Sequence, residues 1–350
     1  MSETPPNSTE FFYHLTPEVV MRAAEQAGLR PTGHCRALNS LENRVFDIGL
    51  EDGTHIVAKF YRPGRWSLTQ IQEEHNFLFD LRDAEIPALY PALFPDGQSI
   101  QGIEGIYYAI WPLTGGREPA EFTDEELEIT GRLLARIHNV GSSREARHRP
   151  ALGAEKMGLD SLQFLLDHKF IPELLEARFS KVVHDTVIVY NESSKGVPVH
   201  RIHGDCHIGN LLFGRDGWYF LDFDDFCNGP AVQDIWMISS GRDSSDLQRQ
   251  QIFLDAYRTF RNFDNSWLNL IEPLRSLRYI HYSAWIARRW QDPAFPSAFP
   301  HFGTEEYWVK ELNDLEEQLA FFQSDYTTFI FSQKINEPET LTNKDFFWDM

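Results

Sequence analysis

The sequence predicts an α+β fold in two lobes, a smaller N-terminal lobe built on an antiparallel sheet and a larger, mostly helical C-terminal lobe. Three observations predict it. Residues 35–61 read as three consecutive strands, the apolar period changes to that of helices after "GIYYAIWPLTGG", and two short strand-like runs ending in charged loops interrupt the helical part. A chain of 350 residues, 42% hydrophobic and 24% charged, is long enough to give each lobe its own core.

In chain order, "CRALNSLENRVFDIGLEDGTHIVAKFY" gives a strand, a turn, a second strand, a hairpin turn at Asp52-Gly53, and a third strand ending at Lys59. "SLTQIQEEHNFLFDLRD" follows as a helix, with Ile71, Phe77, Leu78 and Leu81 on one face. "GIYYAIWPL" reads as part of another strand pair, and Pro112, Gly115 and Gly116 at its end mark a hinge. The boundaries expected are 1–113 for the strand-rich lobe, 114–323 for the helical lobe and 324–350 for a polar tail. In "FTDEELEITGRLLARIHNVG", Thr123 is the expected N-cap, Glu126 completes a capping box, Leu127, Leu134 and Ile137 form the buried stripe, and Gly141 falls past the end. Residues 159–190 supply at least one more helix, "VPVHRIH" and "WYFLDFDD" are strands, and helices resume over 231–323.

A formal net charge of −20 argues against nucleic acid as a partner, because phosphate backbones are held by clustered Lys and Arg. Three widely spaced cysteines, Cys35, Cys206 and Cys227, suit a reducing compartment better than a disulfide framework. There is no basic n-region followed by an apolar run at the N-terminus, and no stretch of about 18 apolar residues. A cytoplasmic protein with no membrane partner is expected.

The densest chemistry is in "HRIHGDCHIGN", residues 200–210. If "VPVHRIH" is a strand, this stretch opens the loop at its C-terminal end. Asp205 and Asn210 then have the D-x-x-x-x-N spacing of phosphoryl-transfer loops, in which the Asp orients the acceptor hydroxyl and the Asn binds Mg²⁺. The metal needs a second carboxylate, and Asp222, directly after the apolar run Trp218 to Leu221, stands where kinases carry D-F-G. Lys59, late in the strand "HIVAKFY", matches the lysine that pairs with nucleotide phosphates, and Glu74 is its expected partner in the next helix, in preference to Glu73. A nucleotide's negative charge requires such local cations in so acidic a chain. ATP and Mg²⁺ are therefore the expected cofactors.

Other readings of the same residues are weaker. His203, Asp205 and His207 alternate as ligands of a transition metal could, without a fourth ligand at suitable spacing. Cys206 reads as a small buried thiol rather than a nucleophile, and His203 as a backbone partner in the loop, where Gly204 gives the turn its freedom. In "YSAWIARRW", Tyr282, Trp285 and Trp290 read as helix core with Arg288 and Arg289 solvated or paired. Arg62 and Arg65 read as a surface turn, with a phosphate or peptide contact as the alternative. Asp234 is expected to be structural, as a helix cap or a brace to the catalytic loop.

"HGDCHIGN", "LDFDD" and "GPAVQDIW" resemble the aminoglycoside phosphotransferase and choline kinase superfamily, which has a protein-kinase-like fold. "LNSLENRVF", "VAKFYRPGRW", "EEHNF", "NGPAVQDIWM" and "RRWQDPAFPSAFP" are similar to its bacterial serine/threonine protein kinases, over residues 11–323. The resemblance implies a monomeric cytoplasmic enzyme using ATP and Mg²⁺ to phosphorylate protein serine or threonine, with a part in surviving envelope or oxidative stress. It implies Asp205 as the proton acceptor, Asn210 and Asp222 as Mg²⁺ ligands, and Ser40 close to the ATP phosphates. Three departures from ordinary protein kinases matter. The turn "NSLENR" has no glycine to cover phosphates, the catalytic loop reads H-G-D rather than H-R-D, and only 12 residues separate Asp222 from Asp234. Switching by a long phosphorylated activation segment is therefore not expected. A small-molecule phosphotransferase, acting on an amino sugar, choline-like alcohol or amino acid, is the alternative. A non-catalytic nucleotide-binding adaptor is weaker, since Lys59, Asp205, Asn210 and Asp222 are all intact.

Overall fold

The chain's computed structural model describes residues 12, 14–215, 217–239 and 241–323. In order these form α1 (Pro17–Gln26), β1 (Pro31–Leu38), β2 (Arg44–Leu50), β3 (His55–Phe60), α2 (Leu68–Asp83), β4 (Gln101–Ile103), β5 (Ile106–Pro112) and β6 (Gly116–Arg117). Then follow α3 (Asp124–Gly141), α4 (Asp160–Asp167), α5 (Glu173–Ser193), β7 (Val199–Ile202), β8 (Leu211–Gly214), β9 (Gly217–Phe220) and β10 (Cys227–Pro230). The chain continues with α6 (Val232–Ile238), α7 (Ser244–Arg258), α8 (Ile271–Arg288), α9 (Ala294–Ala298) and α10 (Glu305–Gln323). Two compact units result. Of the described residues, the first unit holds those up to Glu118 together with those of Arg147–Arg149 and Leu212–Asp224, and the second holds those of Pro119–Ala146, of Pro150–Leu211 and from Asp225 on.

The first unit is organised by an antiparallel sheet of order β1-β2-β3-β5-β4. Alternation along "HIVAKFY" divides its two faces. Ile56, Ala58 and Phe60 join Ile48, Tyr108 and Ile110 in a core closed by Val19, Val20, Ala23 and Ala24 of α1. Tyr61 lies in a separate cluster with Ala109, Trp111 and Ile71 of α2. Lys59, one pleat from Tyr61's neighbour Phe60, is thereby kept out of the α1 core. The start of α2 is fixed by a capping box between Ser67 and Gln70. β6, β8 and β9 form a further small sheet, which brings residues 212–224 back to this unit.

In the second unit, β7 and β10 pair antiparallel, Cys227 opposite Ile202 and Pro230 opposite Val199. The expected capping box of Thr123 and Glu126 starts α3. Gly141, expected beyond this helix, is its last residue, with Ser142 as C-cap. The glycine answers a different need: a Cβ there would stand 2.1 Å from the Arg201 carbonyl oxygen of β7. Gly141→Ala is therefore expected to lower stability by about 3 kcal/mol, because backbone rather than a flexible side chain must move, and urea unfolding checks this. The aromatic run, expected to be helix core, is half-buried instead: Tyr282 and Trp285 lie on α8 and Trp290 just past its end. Tyr282 stacks on Trp285 with centroids 5.5 Å apart, and Arg288 and Arg289 lie over the rings of Phe164 and Trp285. Among the described residues no helix is long and apolar enough to cross a membrane.

Candidate active site

In the first unit, Lys59 collects three carboxylates. Its Nζ donates to Asp222 Oδ1 at 2.9 Å and lies 3.4 Å from Asp224 Oδ1 and 3.7 Å from Glu74 Oε1. Of the two neighbouring glutamates it is Glu74 that faces Lys59. Glu73 turns away to accept the backbone N–H groups of Arg147, His148 and Arg149. Lys59 is only 7% exposed. Burial alone would favour its neutral form, but Asp222, Asp224 and Glu74 together hold it firmly protonated. Burial pushes Glu74 the other way, up to about 7, against the pull of Lys59. The rings of Tyr61 and Trp111 lie 5.1 and 5.9 Å from the ammonium and complete its cage.

The two aspartates of "DFD" differ in kind. Asp224 is buried, accepts from Asn43 Nδ2 at 3.1 Å, pairs with Arg65, and its carbonyl accepts from Arg149. Burial would raise its pKa, but Arg65, Lys59 and Arg149 hold it far below the carboxylate range. Asp222 has a side chain 55% exposed and a φ of 48°. Asp tolerates this left-handed conformation better than most residues. Asp222 is thus the carboxylate of the cluster that solvent, or an ion, can reach.

The glycine-free turn before β2 is held from within. Ser40 Oγ accepts the Asn43 N–H at 3.3 Å, and Asn43 Oδ1 accepts the Arg62 N–H at 3.1 Å. Arg62 donates to the carbonyls of Glu42 and Leu41, both at 2.9 Å. This corrects the expectation of a surface turn: Arg62 is 4% exposed and Arg65 is committed to Asp224. Side-chain hydrogen bonds thus replace glycine in fixing the turn.

In the second unit, the loop after β7 carries Asp205 and Asn210 together. Asn210 Nδ2 donates to the Asp205 carbonyl at 2.9 Å, which leaves its amide oxygen as an acceptor. Asp205 Oδ1 accepts from Arg278 of α8 at 3.0 Å, and His207 Nε2 lies 3.5 Å from Oδ2. Burial would raise the Asp205 pKa; Arg278, His207 and His203 hold it well below the usual carboxylate range. His203 Nδ1 accepts the Asp205 N–H at 3.3 Å. Asp234 accepts the N–H groups of His203 and Gly204, both at 2.8 Å, and lies 2.9 Å from His138 Nε2. It braces the loop, as its sequence position suggested, and burial raises its pKa to about 6. Gly204 has a φ of 85°, and a Cβ there would stand 2.4 Å from the Asp225 carbonyl. An arginine in that position has neither the conformation nor the space. Cys206 is fully buried, and burial raises its thiol pKa.

Lys59, Glu74 and Asp222 are thus brought together in one unit, and Asp205 and Asn210 in the other, while Ser40 serves the turn before β2. Sequence reasoning missed Arg278, Arg149 and the internal role of Asp224. Arg278 stands 73 residues from the aspartate it contacts, and nothing in its own helix marks it out except a charge within an apolar stretch. Each unit offers an oxygen of the kind hard dications prefer: in the first the exposed carboxylate of Asp222, and in the second the amide oxygen of Asn210.

The phosphotransferase enzyme family matches residues 34–267. The chain is 38% identical to stress response kinase A of Escherichia coli K12 over 318 residues, 91% of this chain and 96% of that one. It is 39% identical over 308 residues to a Salmonella typhimurium protein named serine/threonine protein kinase RdoA, 88% of this chain and 93% of that one. Among solved structures it is similar to amicoumacin kinase hAmiN, with a TM-score of 0.70 at 17% identity, covering 88% of this chain and 96% of that one.

Proposed function

We propose, from the premise that this chain belongs to the phosphotransferase enzyme family, that it is an ATP- and Mg²⁺-dependent serine/threonine protein kinase acting in a bacterial stress response. That it is a kinase of protein-kinase-like fold follows from the family. The protein acceptor is our reading, and one observation carries it: identity of 38% spread over 91% of the chain to a relative named as a stress response kinase. The parts specific to that resemblance lie outside the catalytic loop, in "FYRPGRW" and "DPAFPSAFP".

In this reading Lys59 pairs with the ATP phosphates, released from part of its carboxylate cage as nucleotide charge replaces it, and Glu74 keeps it oriented. Asn210 and Asp222 are the proposed donors to Mg²⁺, which when bound neutralises charge on the transferring phosphoryl group. Asp205 accepts the hydrogen bond of the serine or threonine hydroxyl and orients its oxygen for in-line attack on the γ-phosphorus. A carboxylate held so acidic by Arg278 is a weak base. Its contribution is therefore chiefly orientation, with the proton passing late, as a loose transition state allows.

The test is the purified full chain with Mg²⁺ and γ-labelled ATP, alone and with casein or myelin basic protein, beside Asp205→Ala. Label on protein that disappears in the variant is the expected result. Transfer only to small hydroxyl compounds, in a metabolite screen, would replace the protein acceptor by a small one. ATP binding with no transfer to any acceptor would make the chain an adaptor.

A further inference from the structure

We propose that His34, Asp47 and His55 form a binding site for a transition-metal dication of the zinc class, distinct from the residues proposed for Mg²⁺. They come from three neighbouring strands, β1, β2 and β3. One ligand atom from each lies within 4.8 Å of the others, and among the described residues no other group of His, Cys, Asp and Glu converges so closely. His55 Nδ1 is 2.6 Å from Asp47 Oδ1, and His34 Nε2 is 3.8 Å from Asp47 Oδ2. Two imidazoles and one carboxylate are the donor set of zinc-class and other transition-metal dications, whereas Mg²⁺ and Ca²⁺ prefer oxygen alone.

The backbone is shaped for this convergence. The β1–β2 register shifts between Pro31 and Cys35, so that His34 lies within an irregularity that also contains Gly33 at φ 93°. Such bulges re-aim a side chain. Asp47 sits opposite Val57 on β3, and Gly49 opposite His55, so Asp47 and His55 share one face. Between the rings lies Gly49, where a Cβ would come within 3.2 Å of His34 Cβ and 3.5 Å of His55 Cε1. Glycine leaves the space in which both imidazoles approach. Asp47 is 5% exposed at its side chain and gives the site a fixed floor, while the histidines are 50% and 38% exposed and can close by rotation.

Arg36, whose Nη2 donates to Asp47 Oδ2 at 3.2 Å, is the competitor for the carboxylate. Its side chain is 66% exposed, so it can swing into water when a dication takes its place. The cation also takes the place of the His55 Nδ1 to Asp47 Oδ1 hydrogen bond, the imidazole then carrying its N–H on Nε2.

The experiment is calorimetric titration of the untagged, metal-stripped full chain with Zn²⁺, together with Co²⁺ as a spectroscopic probe. The expected result is one equivalent bound per chain, with visible Co²⁺ absorption bands. His34→Ala and His55→Ala should each weaken binding at least about tenfold, the smallest loss seen for even an outer partner of a metal site. Arg36→Gln should bind at least as tightly as the parent. Because each histidine is largely at the surface, His34→Gln and His55→Gln serve as second variants, with thermal unfolding confirming that they fold. Absence of binding, or binding unchanged in all the folded histidine variants, would overturn the site.

Discussion

Asp205→Asn is expected to lower kcat by about 10² to 10⁴-fold, the range set by misorientation and lost acid–base assistance, with little change in the KM for ATP. The amide keeps an oxygen for Arg278 and the backbone N–H that bonds His203, so the loop survives and the thermal midpoint should stay close to the parent's. What the variant loses is the anionic acceptor for the substrate hydroxyl. Steady-state kinetics and a melting curve separate these outcomes, and a folded Asp205→Asn protein with parental kcat would remove Asp205 from the mechanism. Arg278→Met gives a second readout. The guanidinium is the largest influence holding Asp205 acidic against burial, so its loss raises the Asp205 pKa. The carboxylate form, present above that pKa, is then lost at higher pH, and the acid limb of the kcat/KM profile should move upward. A limb that stays in place would mean another group sets it.

The parts legible in the sequence are those whose signal is local. Lys59 was marked by its place late in the strand "HIVAKFY", where kinases carry their phosphate-pairing lysine, α3 by its Thr123 and Glu126 capping box, and Asp205 and Asn210 by their spacing after a strand. The short strands were different. β6 has two residues, too few to show a period, and β10 reads "CNGP", a turn-like string. Pro230 is tolerated because it ends a ribbon of only two strands. Charged residues were misplaced where burial depends on distant partners. Arg62 beside a Pro-Gly turn looks exposed until the carbonyls of Leu41 and Glu42, about twenty residues back, are seen to need its donors. Asp224 looks like a repeat of Asp222 until Asn43, Arg65 and Arg149 close around it.

That last contrast supplies the sharpest test of the first unit. Asp222→Asn and Asp224→Asn are both expected to abolish most transfer, by 10²-fold or more on the order of a lost charge-stabilising group, yet to part company in stability. At position 222 the asparagine keeps a residue suited to the left-handed backbone and can still accept from Lys59, which retains Asp224 and Glu74. Half exposed, the lost carboxylate contributes little to folding, and urea unfolding should be nearly parental while the Mg²⁺ dependence of the reaction is lost. At position 224 the same change removes a buried charge on which Lys59 and Arg65 both depend, and breaking such a cluster costs about 3 kcal/mol. If instead Asp224→Asn proved as stable as the parent, and Asp222→Asn unfolded easily, the roles of the two aspartates would have to be exchanged. The cage around Lys59 would then be held by the outer carboxylate rather than the inner one.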